Sequence, residues 1–222
     1  LDIWKTAGNV LIEEMEVTEL ENALQIRMVG ELVTIESDIT LEYLVYGNGT
    51  IDVSVDYTPA GDNELPGFMP RFGTEMVVSP GYDNLVWYGP GPNPTYVDRN
   101  LEPVGVYHST VSDEWVEYSK PQENGYKTDV RWVKLLNDQG KGVKFTGFPL
   151  IGVGAAHHSK EAIEQADYSF ELTPQPAVYL NIDYKQMGVG GYNSWSEKAY
   201  PVEKYRVKNK SMSYTYRIEP VE

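Results

Sequence analysis

The sequence has no cysteine, which excludes a disulfide framework and any thiolate nucleophile. A cysteine-free chain suits either redox environment, so cytoplasm and periplasm both stay open. No apolar run reaches the roughly 20 residues of a membrane-spanning helix. Positive charge is scarce: 18 lysines and arginines stand against 33 aspartates and glutamates, a net charge of -15. Nucleic acid and anionic membranes need a basic patch, so both are disfavoured as partners, and the acidic excess reads as a solubilising surface. Histidine is limited to His108, His157 and His158. On a strand, the adjacent His157 and His158 point to opposite faces and cannot share a metal ion. No metal site is expected. His108, in "GVYHSTV", reads as a strand residue on a polar surface. The start, "LDIWKTAGNV", has neither an initiator methionine nor a signal-peptide pattern, so a domain cut from a longer protein is expected.

What is present points to β structure. The 222 residues include 17 tyrosines and five tryptophans, residues that suit sheets and half-polar surfaces. Twenty glycines and 14 prolines are scattered, as in a fold with many turns. Alternation of period two dominates. "ITLEYLVYGNGTIDVSVDY" (39–57) reads as a hairpin with Ile39, Leu41, Tyr43 and Val45 on one face and Ile51, Val53, Val55 and Tyr57 on another. Residues 23–29 and 32–37 read as a second pair turning at Gly30-Glu31. Further strands are expected at 74–79, 84–88, 115–119, 128–137, 142–148, 168–172, 177–182, 203–208 and 212–219. One short helix is expected over 159–168, with Ser159 as N-cap and Glu161 in the first turn. The class is all-β and antiparallel, with residues 1–222 as a single domain.

"MGVGGYNSW" (187–195) is the most unusual stretch. It is neither a dinucleotide fingerprint, since Asn193 replaces the third glycine, nor a P-loop, since no Gly-Lys-Ser/Thr follows. The glycines then make a tight turn or a close backbone approach. Trp195 lies among turn residues, so it is either core or a platform for the apolar face of a sugar. For glycosidase chemistry two carboxyl groups about 5 Å apart would be needed. Asp98, Glu123, Asp129 and Asp183 lie in dense polar segments, and their spacing selects no pair. Asp98-Arg99 and Asp129-x-Arg131 read as structural ion pairs. "NGT" (48–50) and "NKS" (209–211) match glycosylation acceptors.

Four longer motifs carry a family resemblance. "LPGFMPRFGTEM" (65–76) resembles the LPR-x-G segment of the C-terminal small-chain domain of glycoside hydrolase family 2 β-galactosidases. "VWYGPGPNPTYVDRN" (86–100), "YSKPQENGYKTDVRW" (118–132) and "VYLNIDYKQMGVGGYNSW" (178–195) resemble its WYGRGPxExYxDR, PQENG-x-x-xDVRW and LNID-x-x-Q-MGVGGDNSW motifs, in the same order. The match is strong from 65 to 220; before that only "WKTAG" (4–8) resembles the start of the family's domain.

The resemblance implies a galactose mutarotase-like antiparallel supersandwich. It implies a parent enzyme that hydrolyses terminal β-galactosides with retention, its two catalytic glutamates on an upstream (β/α)8 barrel and none in this chain. By motif position, Trp195 packs against the aglycone side of the sugar, with Gly188, Gly190, Gly191 and Asn193 shaping its loop. Magnesium and sodium belong to the parent family, and no cofactor is assigned to this chain. Tyr192 replaces the family's aspartate, and Asn93-Pro94 replaces its His/Gln-Glu pair, which bears on sugar preference. Two alternatives remain: a stand-alone carbohydrate-binding module, or a mutarotase-like aldose epimerase. The latter needs a histidine with a carboxylate, for which His157 is the candidate without an identified partner.

Overall fold

The computed structural model describes all residues except 1, 62–64, 66, 192 and 194–198. Among the described residues thirteen strands run in chain order: β1 (Val10–Glu19), β2 (Ala23–Leu32), β3 (Ser37–Tyr46), β4 (Ile51–Thr58), β5 (Phe68–Met69), β6 (Arg71–Val78), β7 (Asn84–Pro90), β8 (Val104–Thr110), β9 (Lys127–Leu136), β10 (Gly142–Ala156), β11 (Val178–Gln186), β12 (Val207–Lys208) and β13 (Met212–Val221). Two short helices accompany them, α1 (Ile3–Thr6) and α2 (Lys160–Gln165). Every strand pair is antiparallel, which bears out the expected class. Eleven strands join one sheet in the order β1-β2-β3-β4-β13-β10-β9-β7-β8, with β11 and β6 branching from β10.

The branch arises because β10 changes partner along its length. Residues 142–148 pair with β13, whereas residues 152–156 pair with β11. The change carries β11 and β6 over the β4–β13 part of the sheet. Phe72 of β6 lies 5.5 Å from the Tyr57 ring and 5.6 Å from the Tyr214 ring. Tyr214 Oη donates to the Ile182 carbonyl at 3.0 Å. Val53, Val55, Leu180 and Ile182 are buried between these layers and form the heart of the core.

The β3–β4 hairpin forms where expected. Gly49 takes φ +83, Gly49 N donates to the Tyr46 carbonyl, and Asn48 Oδ1 accepts from Thr50 N at 3.0 Å. The first glycosylation-type asparagine is thus a turn former. The second, Asn209, accepts from Tyr57 Oη at 2.7 Å. Register places Ile39 opposite Tyr57 and Tyr43 opposite Val53, so the two apolar sets share one face of the sheet rather than two.

Other expectations are corrected. Gly30 and Glu31 lie inside β2, not at a turn; the chain turns over 33–36, where Glu36 takes φ +48. Gly30 serves close approach instead, since a Cβ there would stand 2.3 Å from the Leu11 carbonyl oxygen of β1. The register shift between Ile12 and Glu14 breaks the alternation of β1 and hides it from a period-two reading. β8 is hidden because its apolar residues Val104 and Val106 face outward. Residues 115–119 form no strand, and 169–171 and 203–205 are single 3-10 turns. The expected helix is α2, with Ser159 Oγ accepting from Ala162 N at 3.1 Å; α1 is a second helix where one was expected.

Gly152 of β10 has no room for a side chain where the strand meets β11. A Cβ on Gly152 would lie 1.8 Å from Tyr126 Oη, which is itself bonded in the core. Gly152→Ala is expected to destabilise the fold by about 1–3 kcal/mol through overpacking. Urea denaturation measures it, and an unchanged midpoint would contradict the close-approach role.

Candidate functional site

The four sequence motifs meet at one end of the β6–β11 layer. Arg71, from the first motif, joins two of the others. Its Nη2 donates to Glu123 Oε2 at 2.6 Å and to Gln186 Oε1 at 3.1 Å, and its Nη1 lies 3.5 Å from Asp183 Oδ2. Tyr126, next to the PQENG stretch, donates to Asp183 Oδ2 at 3.0 Å. Its ring stacks on Tyr96 of the second motif with centroids 5.7 Å apart. The second motif's tryptophan, Trp87, is a core residue whose Nε1 donates to the Pro90 carbonyl, and buried Lys127 lies over its ring.

Asp183 is 1% exposed. Gly73 makes room for it, since a Cβ there would be 2.1 Å from Oδ1. Burial pushes the Asp183 carboxyl up to about 6, against the opposing pull of the Arg71 guanidinium and the Tyr126 hydroxyl.

The glycine run is explained by Asp98. β11 ends at Gln186, and Met187 N and Gly188 N donate to the carbonyls of Pro70 and Tyr205, both at 2.8 Å. Val189 N and Gly190 N then donate to the two oxygens of Asp98, at 3.2 and 2.7 Å. A Cβ on Gly188 or Gly190 would come within 2.4 or 2.9 Å of that carboxylate, and one on Gly191 within 2.2 Å of the Ala199 carbonyl oxygen. The loop therefore does cradle an anion in a backbone nest, and the anion is the chain's own aspartate. Asn193 is exposed. Trp195 and Tyr192 lie outside the described residues.

The candidate carboxylates are committed to structure. Asp98 serves the loop amides, rather than an ion pair with Arg99. Asp129, at φ +54, accepts from Asn100 Nδ2 at 2.7 Å, while Arg131 donates to the Asp129 backbone carbonyl and not to its carboxylate. Asp183 and Glu123 share Arg71. In the altered WYG motif, Asn93 Nδ2 donates to Glu102 Oε1 at 3.0 Å.

His157 and His158 lie in the bend just after β10 rather than on a strand, and they have different neighbours. His157 faces Asp83 Oδ1 at 2.8 Å through Nε2 and the Ala177 carbonyl at 3.0 Å through Nδ1. A carboxylate partner thus exists, distant in sequence, but both ring nitrogens are occupied by acceptors. His158 is buried against the Trp115 ring, and burial followed by the neighbouring His157 lowers its pKa. His108 is exposed on β8. Among the described residues no group of three His, Asp or Glu side chains is placed to hold a metal ion, and no step is assigned to one.

Two cavities flank the cluster. One, about 50 Å³, lies beside Trp115, His158 and Asn181, and its volume suits a water or two. The other, about 330 Å³, lies between the end of β11 and β12, lined by Tyr184, Lys185, Arg206, Lys208 and Lys210.

Asp183 generates a pH signature. Its ordinary pKa is 3.8, and in the fold it is about 6, so folding takes up a proton between these values. Its contribution to stability is fully present below the lower value and is lost as pH rises through the upper one, on the order of 2–3 kcal/mol. Asp183→Asn is expected to remove this component. Urea unfolding from pH 4 to 7 measures it, and an unchanged pH slope in the variant would refute the assignment.

Residues 1–218 match the model of the β-galactosidase small chain family. The chain is 33% identical to a β-galactosidase of Priestia megaterium over 81% of its length, and 32% identical to β-galactosidase BgaC of Bifidobacterium adolescentis over 84%. A Streptococcus thermophilus β-galactosidase matches over 98% at 30% identity. The chain spans only 17%, 18% and 21% of these three relatives. Solved structures that match it include a galactose mutarotase related enzyme from Lactobacillus acidophilus, 8% identical, covering 94% of this chain and 71% of that one with a TM-score of 0.44. A GH36 α-galactosidase from Geobacillus stearothermophilus covers 96% of this chain and 28% of its own, at 11% identity and a TM-score of 0.49. Motifs that converge on Arg71 and Asp98, matched together with nearly every other residue by one family model, place the chain in the β-galactosidase small chain family.

Proposed function

We propose that the chain is the C-terminal, non-catalytic supersandwich domain of a longer β-galactosidase-like enzyme of glycoside hydrolase family 2. The parent hydrolyses terminal β-galactosides with retention, using two glutamates on an upstream (β/α)8 barrel. This chain contributes the loop that presents Trp195 to the aglycone side of the sugar. One observation carries the reading: Asp98 fixes the backbone of the glycine run at Val189 and Gly190, the latter five residues before Trp195. A fixed stem limits the freedom lost when the tryptophan meets a sugar, which is what a display loop requires. The commitment of Asp98, Glu123, Asp129 and Asp183 to structural partners agrees with a non-catalytic role.

The isolated chain is expected not to hydrolyse a chromogenic β-galactoside. Turnover that survives repurification and disappears on mutating a carboxylate of this chain would overturn the reading. One aromatic platform contributes about 1–3 kcal/mol. Free galactose or lactose is therefore expected to bind the isolated chain in the millimolar range or weaker. A micromolar dissociation constant by calorimetry, abolished by Trp195→Ala, would instead establish an autonomous carbohydrate-binding module.

In the full-length polypeptide, Trp195→Ala is expected to raise KM for a disaccharide roughly 5- to 150-fold. Asp98→Ala frees the loop stem and is expected to act in the same direction with a smaller effect. Steady-state kinetics check both. An unchanged KM in both variants would remove the loop from the site.

A further inference from the structure

We infer that the cavity between the end of β11 and β12 is a binding site for a small tetrahedral oxyanion, a phosphate either free or carried on a sugar. None of residues 187–191 of the glycine loop lines it, and the inference does not depend on the role of Trp195.

The sequence gathers positive charge here against its own average. The chain has 33 acidic and 18 basic residues, yet residues 204–218 hold five basic residues and no acidic one. Lys204, Arg206, Lys208 and Lys210 recur at every second position. β12 pairs with β5 at Val207 and Lys208, which buries Val207 and leaves Lys208 exposed. Lys185, at the end of β11, adds a cation from another strand.

The fold brings these groups around one space. The cavity of about 330 Å³ is lined by Lys185, Arg206, Lys208 and Lys210 and by the hydroxyl-bearing Ser211 and Ser213. Its volume falls at the low end of small-molecule pockets, which run from roughly 300 to 1,000 Å³. None of the described residues that line it is acidic.

The cations are positioned without being neutralised. Lys185 Nζ lies 4.8 Å from the centroid of the Tyr184 ring, which also lines the cavity. Arg206 donates through Nε to the Pro201 carbonyl at 2.8 Å, and its guanidinium lies 5.0 Å from the Phe68 ring centroid. Neither a ring nor a carbonyl cancels a full charge. Lys208 pairs with Glu203 at 3.5 Å, but the two side chains are 63% and 79% exposed and water screens them. Lys210 has no ion-pair or hydrogen-bond partner among the described residues.

The chemistry of the lining selects the ligand. Four like charges around a small space repel one another, and a guest with more than one negative charge relieves them best. A phosphate group carries about -1.5 to -2 charges at pH 7 and three strong acceptor oxygens. Lysines meet it as point charges, a guanidinium meets it as a fork, and serine hydroxyls add donors. A carboxylate brings one charge and two oxygens, so most of these donors would go unused. A nucleic acid or an anionic membrane would have to cross the acidic remainder of the surface.

Isothermal titration of the chain with sodium phosphate, at an ionic strength held constant with sodium chloride, tests the assignment. One saturable site with a dissociation constant of about 1 mM or tighter is expected. Lys208→Gln combined with Lys210→Gln is expected to weaken binding at least about tenfold. Both side chains are exposed, so the urea midpoint of that variant should not move. Lys185→Gln lies on another strand and should also weaken binding, which keeps the test decisive if one variant fails to fold. Absence of saturation, or undiminished affinity in the folded variants, would overturn the site. Sodium acetate that binds as tightly as phosphate would overturn the tetrahedral class. A hexose phosphate that binds more tightly than inorganic phosphate would make the sugar ester the ligand, and one that does not would make it the free ion; both agree with the site. Phosphate binding by this chain that is lost in the full-length polypeptide would mean that the rest of that polypeptide fills the cavity, and would overturn the inference.

Discussion

A carboxylate closed off from water must be compensated within the chain, and the Asp183 site shows how widely that demand spreads. Arg71 and Tyr126 approach one oxygen, and Gly73 clears space beside the other. Gly152 then makes room for the Tyr126 hydroxyl. A buried pair of this kind is weak evidence of net stability, because desolvation offsets most of the attraction. Its value here is positional. Removing one partner strands the other, so four segments far apart in sequence hold one arrangement. The stem of the glycine loop begins at Met187, four residues after Asp183, and inherits that rigidity.

The sheet obeys a parallel constraint in its backbone. β10 serves two layers because it exchanges β13 for β11 along its length. That exchange sets the β6–β11 layer over β4 and β13 and creates the core. It also limits the core's extent, since the covering layer has two strands and the covered sheet continues through three more.

Much of this was legible in the sequence where side-chain alternation and burial coincide. The β3–β4 hairpin, β7, β9 and β13 show clean period-two patterns, and Ser159 marks α2. Legibility fails where apolar residues do not enter the chain's own core. β1 carries a bulge and exposed apolar residues, and β8 points its valines outward. Gly30 looked like a turn because glycine at close approach and glycine in a turn are the same letter. Site contacts were the least readable. Asp98 precedes Arg99 in sequence, yet its partners are amides more than 90 positions away. The His157 partner, Asp83, is equally remote, at 74 positions. Only the motif resemblance placed the loop residues together, and no spacing rule could have paired them.

The pairing of β4 with β13 has a consequence for how the chain is made. β4 ends at residue 58, and its partner begins at residue 212. During synthesis β1 to β4 can assemble as an early meander. Its inner edge, with Val53, Val55 and Tyr57, then waits until the last strand of this chain emerges. An open apolar edge held while residues 59–211 are made is a template for wrong pairing. A ribosome-bound chain stopped before residue 212 would therefore be the species most dependent on chaperones, and loss of the last ten residues would unzip the molecule at its centre rather than fray its end.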